Sequence, residues 1–140
     1  MTYVGIDPGK SGGIAVISRG CVSVQSMPET DHDVLKALRL ATDGATVAVL
    51  EFVRSSPQMG VTSAFTFGRG YGGLRMALAA LEIPYREVTP RKWQAYMGCL
   101  SKGDKNITKQ RAQELFPWLN VTHANADALL LAEYCKQTWT

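Results

Sequence analysis

Tyr3-Val4-Gly5-Ile6-Asp7-Pro8-Gly9-Lys10-Ser11-Gly12-Gly13-Ile14-Ala15-Val16-Ile17 is the stretch whose reading decides the fold. A β-branched run, Val4 and Ile6, ends in one carboxylate, Asp7. A Pro-Gly turn and a glycine-rich stretch follow, and Ile14, Val16 and Ile17 lead away. This is a strand–turn–strand pattern. Taken alone, Asp-Pro-Gly admits two meanings. It is a turn whose aspartate bonds its own backbone, or an acid held where a buried strand ends. The positions of the other acids decide between them.

Downstream, Cys21 to Gln25 alternates with period two and is expected to form a third antiparallel strand. Glu29 to Asp33 opens a helix, with Val34, Leu35, Leu38 and Ala41 at helical spacing and Gly44 at its end. Asp31 and Asp33 suit the positive end of that helix and read as helix-start residues rather than ligands. Thr46-Val47-Ala48-Val49-Leu50 is a continuous apolar run, as in a strand buried on both faces. It too ends in a carboxylate, Glu51, so the pattern at Asp7 repeats.

Residues 52–63 are polar, with Pro57 and Gly60, and are expected to form a mobile loop beyond Glu51. A long helix is expected over roughly 63–82, with Ala64, Phe67, Tyr71, Leu74, Leu78 and Leu81 on its apolar side. It carries Gly68, Gly70, Gly72 and Gly73, each costing up to about 1 kcal/mol against alanine. Gly68 and Gly72 share one face, which points to a tightly packed or dimer-forming helix, or else to a frayed first half.

Ile83 to Val88 reads as a parallel-type strand, and Thr89-Pro90 starts a short helix. A helix from Lys105 to Phe116 stops at Pro117. A last helix, from about Ala124 to Lys136, is apolar nearly all round and must be buried. Asp127 at its opening is costly there unless paired or metal-bound. The fold class is therefore α/β. It is a mixed five-stranded sheet, the first three strands antiparallel and the last two parallel, flanked by helices in a single domain over 1–140.

Apolar content of 46% and charged content of 19% describe an ordinary globule. No stretch approaches the roughly 18 apolar residues that span a bilayer, and no signal-peptide pattern precedes the first strand. Cys21, Cys99 and Cys135 are odd in number and scattered, forming neither a disulfide framework nor a metal spacing. A reducing, cytoplasmic setting is expected. The net charge of +3 is unevenly spread: Arg54 to Arg111 holds ten Lys/Arg against three acids, while both flanks are negative. Such a middle segment suits a polyanion lying across it, or is a solvated basic face.

Two acids end strands and a third opens a buried helix, with His123 four residues before it. Carboxylates brought together repel strongly, a situation that divalent cations relieve. Oxygen donors suit Mg²⁺ or Mn²⁺, whereas cysteine ligands for zinc are missing. A pair of such ions activates a water and stabilises the leaving oxygen of a phosphodiester.

Gly5-Ile6-Asp7-Pro8-Gly9, strand-ending Glu51 and Ala126-Asp127-Ala128-Leu129 resemble the RuvC-type Holliday junction resolvases. Phe67-Gly68-Arg69-Gly70-Tyr71-Gly72 and the run Ala126 to Tyr134 are similar to signatures of their bacteriophage branch. The resemblance covers essentially the whole chain in order. It implies a ribonuclease H-like fold, a homodimer, for which the face of Gly68 and Gly72 is the expected interface, and Mg²⁺- or Mn²⁺-dependent nicking of four-way and other branched DNA with two ions per site. The products would carry 5′-phosphates, in the cytoplasm of a bacterium or a phage-infected host.

The resemblance assigns Asp7 to bridging both metals, and Glu51 and Asp127 to further ligation. The family's fourth ligand is usually placed three residues before the last acid, where this chain has Ala124; His123, four before, is a ligand, a proton shuttle or an idle histidine. Lys105 resembles the family's basic residue at the front of the next-to-last helix, where helix N–H groups and an ammonium suit a phosphate, and Lys92 resembles a second. Cellular relatives carry an aromatic wedge three residues beyond the second acid, where Arg54 stands here. Arg54, Phe52 or Met59 would then open the junction. Arg69, Arg91, Lys102 and Lys109 complete the expected DNA-binding set with Lys92 and Lys105.

Two other classes compete. Asp7 to Gly13 also resembles the phosphate loop of actin-like ATPases and sugar kinases, but those clamp a nucleotide between two such domains, and one domain of this size has no second jaw. No nucleotide cofactor is expected. A catalytically silent branched-DNA binder would keep its acids for structure alone; metal-dependent nicking separates it from the enzyme.

Overall fold

The computed structural model describes residues 1–140. Strands β1 (Thr2–Asp7), β2 (Gly13–Ser18), β3 (Cys21–Ser26), β4 (Thr46–Glu51) and β5 (Tyr85–Val88) form one sheet in the order β3-β2-β1-β4-β5. The first three strands pair antiparallel, and β4 and β5 run parallel to β1. This is the mixed sheet expected from the sequence. Its helices are α1 (Asp31–Ala41), α2 (Val61–Ala80), α3 (Pro90–Tyr96), α4 (Lys105–Leu115) and α5 (Ala126–Thr138).

Strand parity sorts the sheet into two faces. Val4, Ile6, Ala48 and Leu50 point toward α1 and α2 and join Leu38, Leu74 and Leu78 in one core. Val47 and Val49 point the other way, into a larger core with Trp93, Phe116 and the buried face of α5. Asp7 and Glu51 share the parity of the second set. They therefore end their strands on the face that α5 covers.

Helix α5 lies across β1, β2 and β4. It starts at the sheet edge where β1 and β4 end and runs back until Cys135 Sγ reaches the Val47 carbonyl at 3.9 Å. Gly5 makes that seat. A methyl there would overlap the backbone of Ala128, Leu131 and Ala132, so a residue without Cβ lets the helix lie flush on β1.

Several boundaries differ from expectation. Helix α5 begins at Ala126 because Asn125 and Thr122 bond each other's backbone (Thr122 N to Asn125 Oδ1 2.8 Å, Asn125 N to Thr122 Oγ1 3.2 Å), holding the preceding turn outside the helix. Strand β5 is short, since Pro84 has no N–H to donate, although its carbonyl still accepts from Ala48 N at 3.0 Å. Helix α2 starts two residues early and buries only Leu74, Ala77 and Leu78. Its first half stands clear of the sheet, with Val61 88% and Phe65 67% exposed. Nothing lies within 4 Å of a Cβ placed at Gly68, Gly70 or Gly72, so no close neighbour within the chain demands these glycines. No helix is long and apolar enough to cross a membrane, and all three cysteines are free.

Candidate active site

Because β1 and β4 are adjacent and parallel, with Ile6 opposite Leu50, their terminal acids arrive side by side. Glu51 is 6% exposed and Asp7 half-buried. Asp127 enters from above in the first turn of α5. The three carboxyl groups feel one another. Burial, then the charges of Glu51 and Asp127, push Asp7 up to about 8, with Lys105 pulling the other way. Hydrogen bonding between the two carboxyls raises Asp7 further and lowers Glu51.

Burial pushes Glu51 up to about 7, opposed by a hydrogen bond from Trp93 and reinforced by Asp127. Asp127 is raised by burial and held back by the Thr108 hydroxyl and by Lys105. Lys105 begins α4, capped by Asp104, whose Oδ1 accepts from Asn106 N at 3.0 Å. Its packing against α5 brings the one cation that acts on both Asp7 and Asp127.

No three His, Cys, Asp or Glu side chains are drawn together as a ready-made metal site. The acids are neighbours rather than a closed ligand set. Their chemistry nevertheless fits a divalent cation: three half-dry carboxylates, raised by burial and by one another, are opposed by a single ammonium. An all-oxygen donor set is what Mg²⁺ and Mn²⁺ prefer.

The remaining expected residues are dispersed. His123 is exposed on the turn before α5 and is not among the groups that act on Asp127. Lys92 and Arg91 are exposed on α3 and Lys102 on the loop before α4, while Lys109 is half-buried on α4. None of these four contributes to the charge balance of the acids. Arg54 is exposed, its guanidinium 5.3 Å from the centre of the Phe52 ring. Phe52 in turn packs edge-on against Tyr71 of α2, at 6.4 Å between centroids. Arg69 and Met59 line a cleft of about 950 Å³ between the Gly9–Lys10 turn, the β3–α1 connection and α2. That cleft includes none of the three acids.

Trp93 was missed by sequence reasoning. Its Nε1 donates to Glu51 Oε2 at 2.7 Å, across 42 residues of chain. One tryptophan in a short amphipathic helix reads as core, and no spacing rule signals so distant a partner.

A mixed five-stranded sheet with acids at the ends of its first and fourth strands and at the start of its closing helix is a ribonuclease H-like arrangement. Within that class the chain has the RuvC fold. It superposes on Thermus thermophilus RuvC with a TM-score of 0.65 at 18% identity, covering 96% of this chain and 92% of that one. On T. thermophilus RuvC solved in complex with a Holliday junction substrate the TM-score is 0.67 at 17% identity, covering 100% and 97%. No protein-family model matches the chain, and no curated protein matches it.

Proposed function

We propose that this chain is a metal-dependent endonuclease that nicks Holliday junctions and other branched DNA, flaps and forks included, as a homodimer, leaving 5′-phosphates. The observation that carries the reading is that Asp7, Glu51 and Asp127 lie near enough to act on one another's charge where β1 and β4 end, in a fold shared with a protein solved on a Holliday junction. The resemblance of the runs Phe67 to Gly72 and Ala126 to Tyr134 to signatures of the bacteriophage branch supports an enzyme of that branch, acting in the cytoplasm of a bacterium or infected host.

Asp7, which interacts with both other acids, would hold Mg²⁺ or Mn²⁺ at the centre, with Glu51 and Asp127 on either side. Two such ions supply a polarised water and charge neutralisation at the leaving oxygen. Lys105, exposed at the front of α4, holds a phosphate oxygen beside the acids, where N–H groups at the helix start add to its charge. For His123 to act as the fourth ligand, its turn has to close toward Asp127 against the Thr122–Asn125 hydrogen bonds.

Among the loop residues, Phe52 packs on Tyr71 and carries the exposed Arg54 guanidinium over its ring, so Arg54 is the side chain offered to the junction centre. Arg91, Lys92, Lys102 and Lys109 hold the duplex arms. Val61, Phe65, Gly68, Gly72 and Met76 recur on one exposed face of α2, where two copies meet.

The test is a panel of end-labelled four-way, flap, fork and linear DNAs incubated with Mg²⁺ and with Mn²⁺. Paired nicks across the junction, with little cutting of linear duplex, are expected. Equal cutting of linear and branched DNA, or none with either metal, contradicts the reading.

A further inference from the structure

Glu51 is gripped from both ends. Its backbone lies in the β4–β5 ladder opposite Val88, and the pairing continues past it as Phe52 N donates to Val88 O at 2.8 Å. Its carboxyl group meets the indole of Trp93, whose Nε1 lies 2.7 Å from Oε2, at the short end for a hydrogen bond. Trp93 is itself 0% exposed, wedged in the core with Val88, Met97 and Ala112. Its helix is held by Pro90 in the first turn and by the Thr89 cap, which accepts from Lys92 N at 3.4 Å. An indole has one donor and no acceptor, so a buried one must find an oxygen. Glu51 is the partner this one has.

We infer that Trp93 is a positioning residue for the proposed metal site: its indole N–H bonds Oε2 and locks the Glu51 carboxyl group in one orientation, leaving Oε1 free for a cation. The inference rests on the nuclease reading for its purpose, but the lock itself is a property of the chain alone. A rigid ring in a dry core cannot swing away as a lysine or serine would. A carboxylate so held gives up little freedom when it takes an ion, and residues that orient ligands in this way typically contribute 10- to 100-fold in metal affinity.

The test combines two readouts. In the metal-free protein labelled with ¹⁵N at tryptophan, Glu51→Gln should shift the slowly exchanging indole N–H signal of Trp93 and leave those of Trp118 and Trp139 in place. By calorimetry, Trp93→Phe should bind Mn²⁺ roughly tenfold more weakly than wild type. Added to Glu51→Gln, it should weaken binding no further, because the group it orients is already changed. An indole signal indifferent to Glu51→Gln overturns the inference even if Trp93→Phe does not fold. So does a folded Trp93→Phe that takes Mn²⁺ as tightly as wild type, an outcome that leaves the nuclease reading standing. A wild type that takes up no Mn²⁺ overturns both.

Discussion

Burial, with the charges of Glu51 and Asp127, pushes the Asp7 carboxyl up to about 8, far above the ordinary aspartate value of 3.8. The folded state therefore binds a proton that the unfolded chain has already released. Stability falls as pH rises from the ordinary value toward the raised one, and is flat above it. Glu51 adds to the same slope up to about 7. In the metal-free protein the melting temperature should drop between about pH 5 and pH 8, and Asp7→Asn should recover a few degrees at the upper end. A variant that melts no higher than wild type at pH 8 would mean the acids do not crowd one another. The placement of Asp7 and Glu51 at strand ends was legible in the sequence because each closes an apolar run. The placement of His123 on a turn held outside α5 was not, because the side-chain bonds that hold that turn leave no mark in a pattern of apolar positions.

The junction of β1 with α5 does most to build the site, and Gly5 makes it. Gly5→Ala forces a methyl against the α5 backbone at Ala128 and at the Leu131–Ala132 peptide, which cannot yield as a side-chain tip would. A loss of about 3 kcal/mol in a denaturant melt is expected, whereas a change under half of that would show that the helix does not sit on the strand. The sequence announced the strand and the buried helix separately, and their contact became visible only once the sheet was assembled. Helix α2 is the opposite case. Its glycines were read as a sign of close packing, yet within one chain they face open space, beside Phe65 and Met76 that are 67% and 68% exposed. Phe65→Lys should halve the mass seen by light scattering and leave a folded monomer. A wild type already monomeric at the concentrations used for cleavage would remove α2 as the meeting face.

Across the molecule, the succession of strands and helices was readable because hydrophobic period and turn signals agreed along most of the chain. Side-chain orientation across the sheet was not, since parity acquires a meaning only when α5 chooses a face. The basic stretch from Arg54 to Arg111 supplies six exposed Lys/Arg of the proposed DNA-binding set (Arg54, Arg69, Arg91, Lys92, Lys102 and Lys105), spread over loop, α2, α3 and α4. Junction affinity should therefore fall steeply with added salt, as release of phosphate counterions demands; a flat response would place the DNA elsewhere. The most direct measurement follows cleavage and binding of one labelled four-way junction, with Mn²⁺, for wild type, Asp7→Asn, Glu51→Gln and Asp127→Asn. Each variant should bind the junction about as well as wild type and leave it uncut. Variants that still cut, or that lose binding and cutting together, would contradict a site in which these three carboxylates hold the ions that break the phosphodiester.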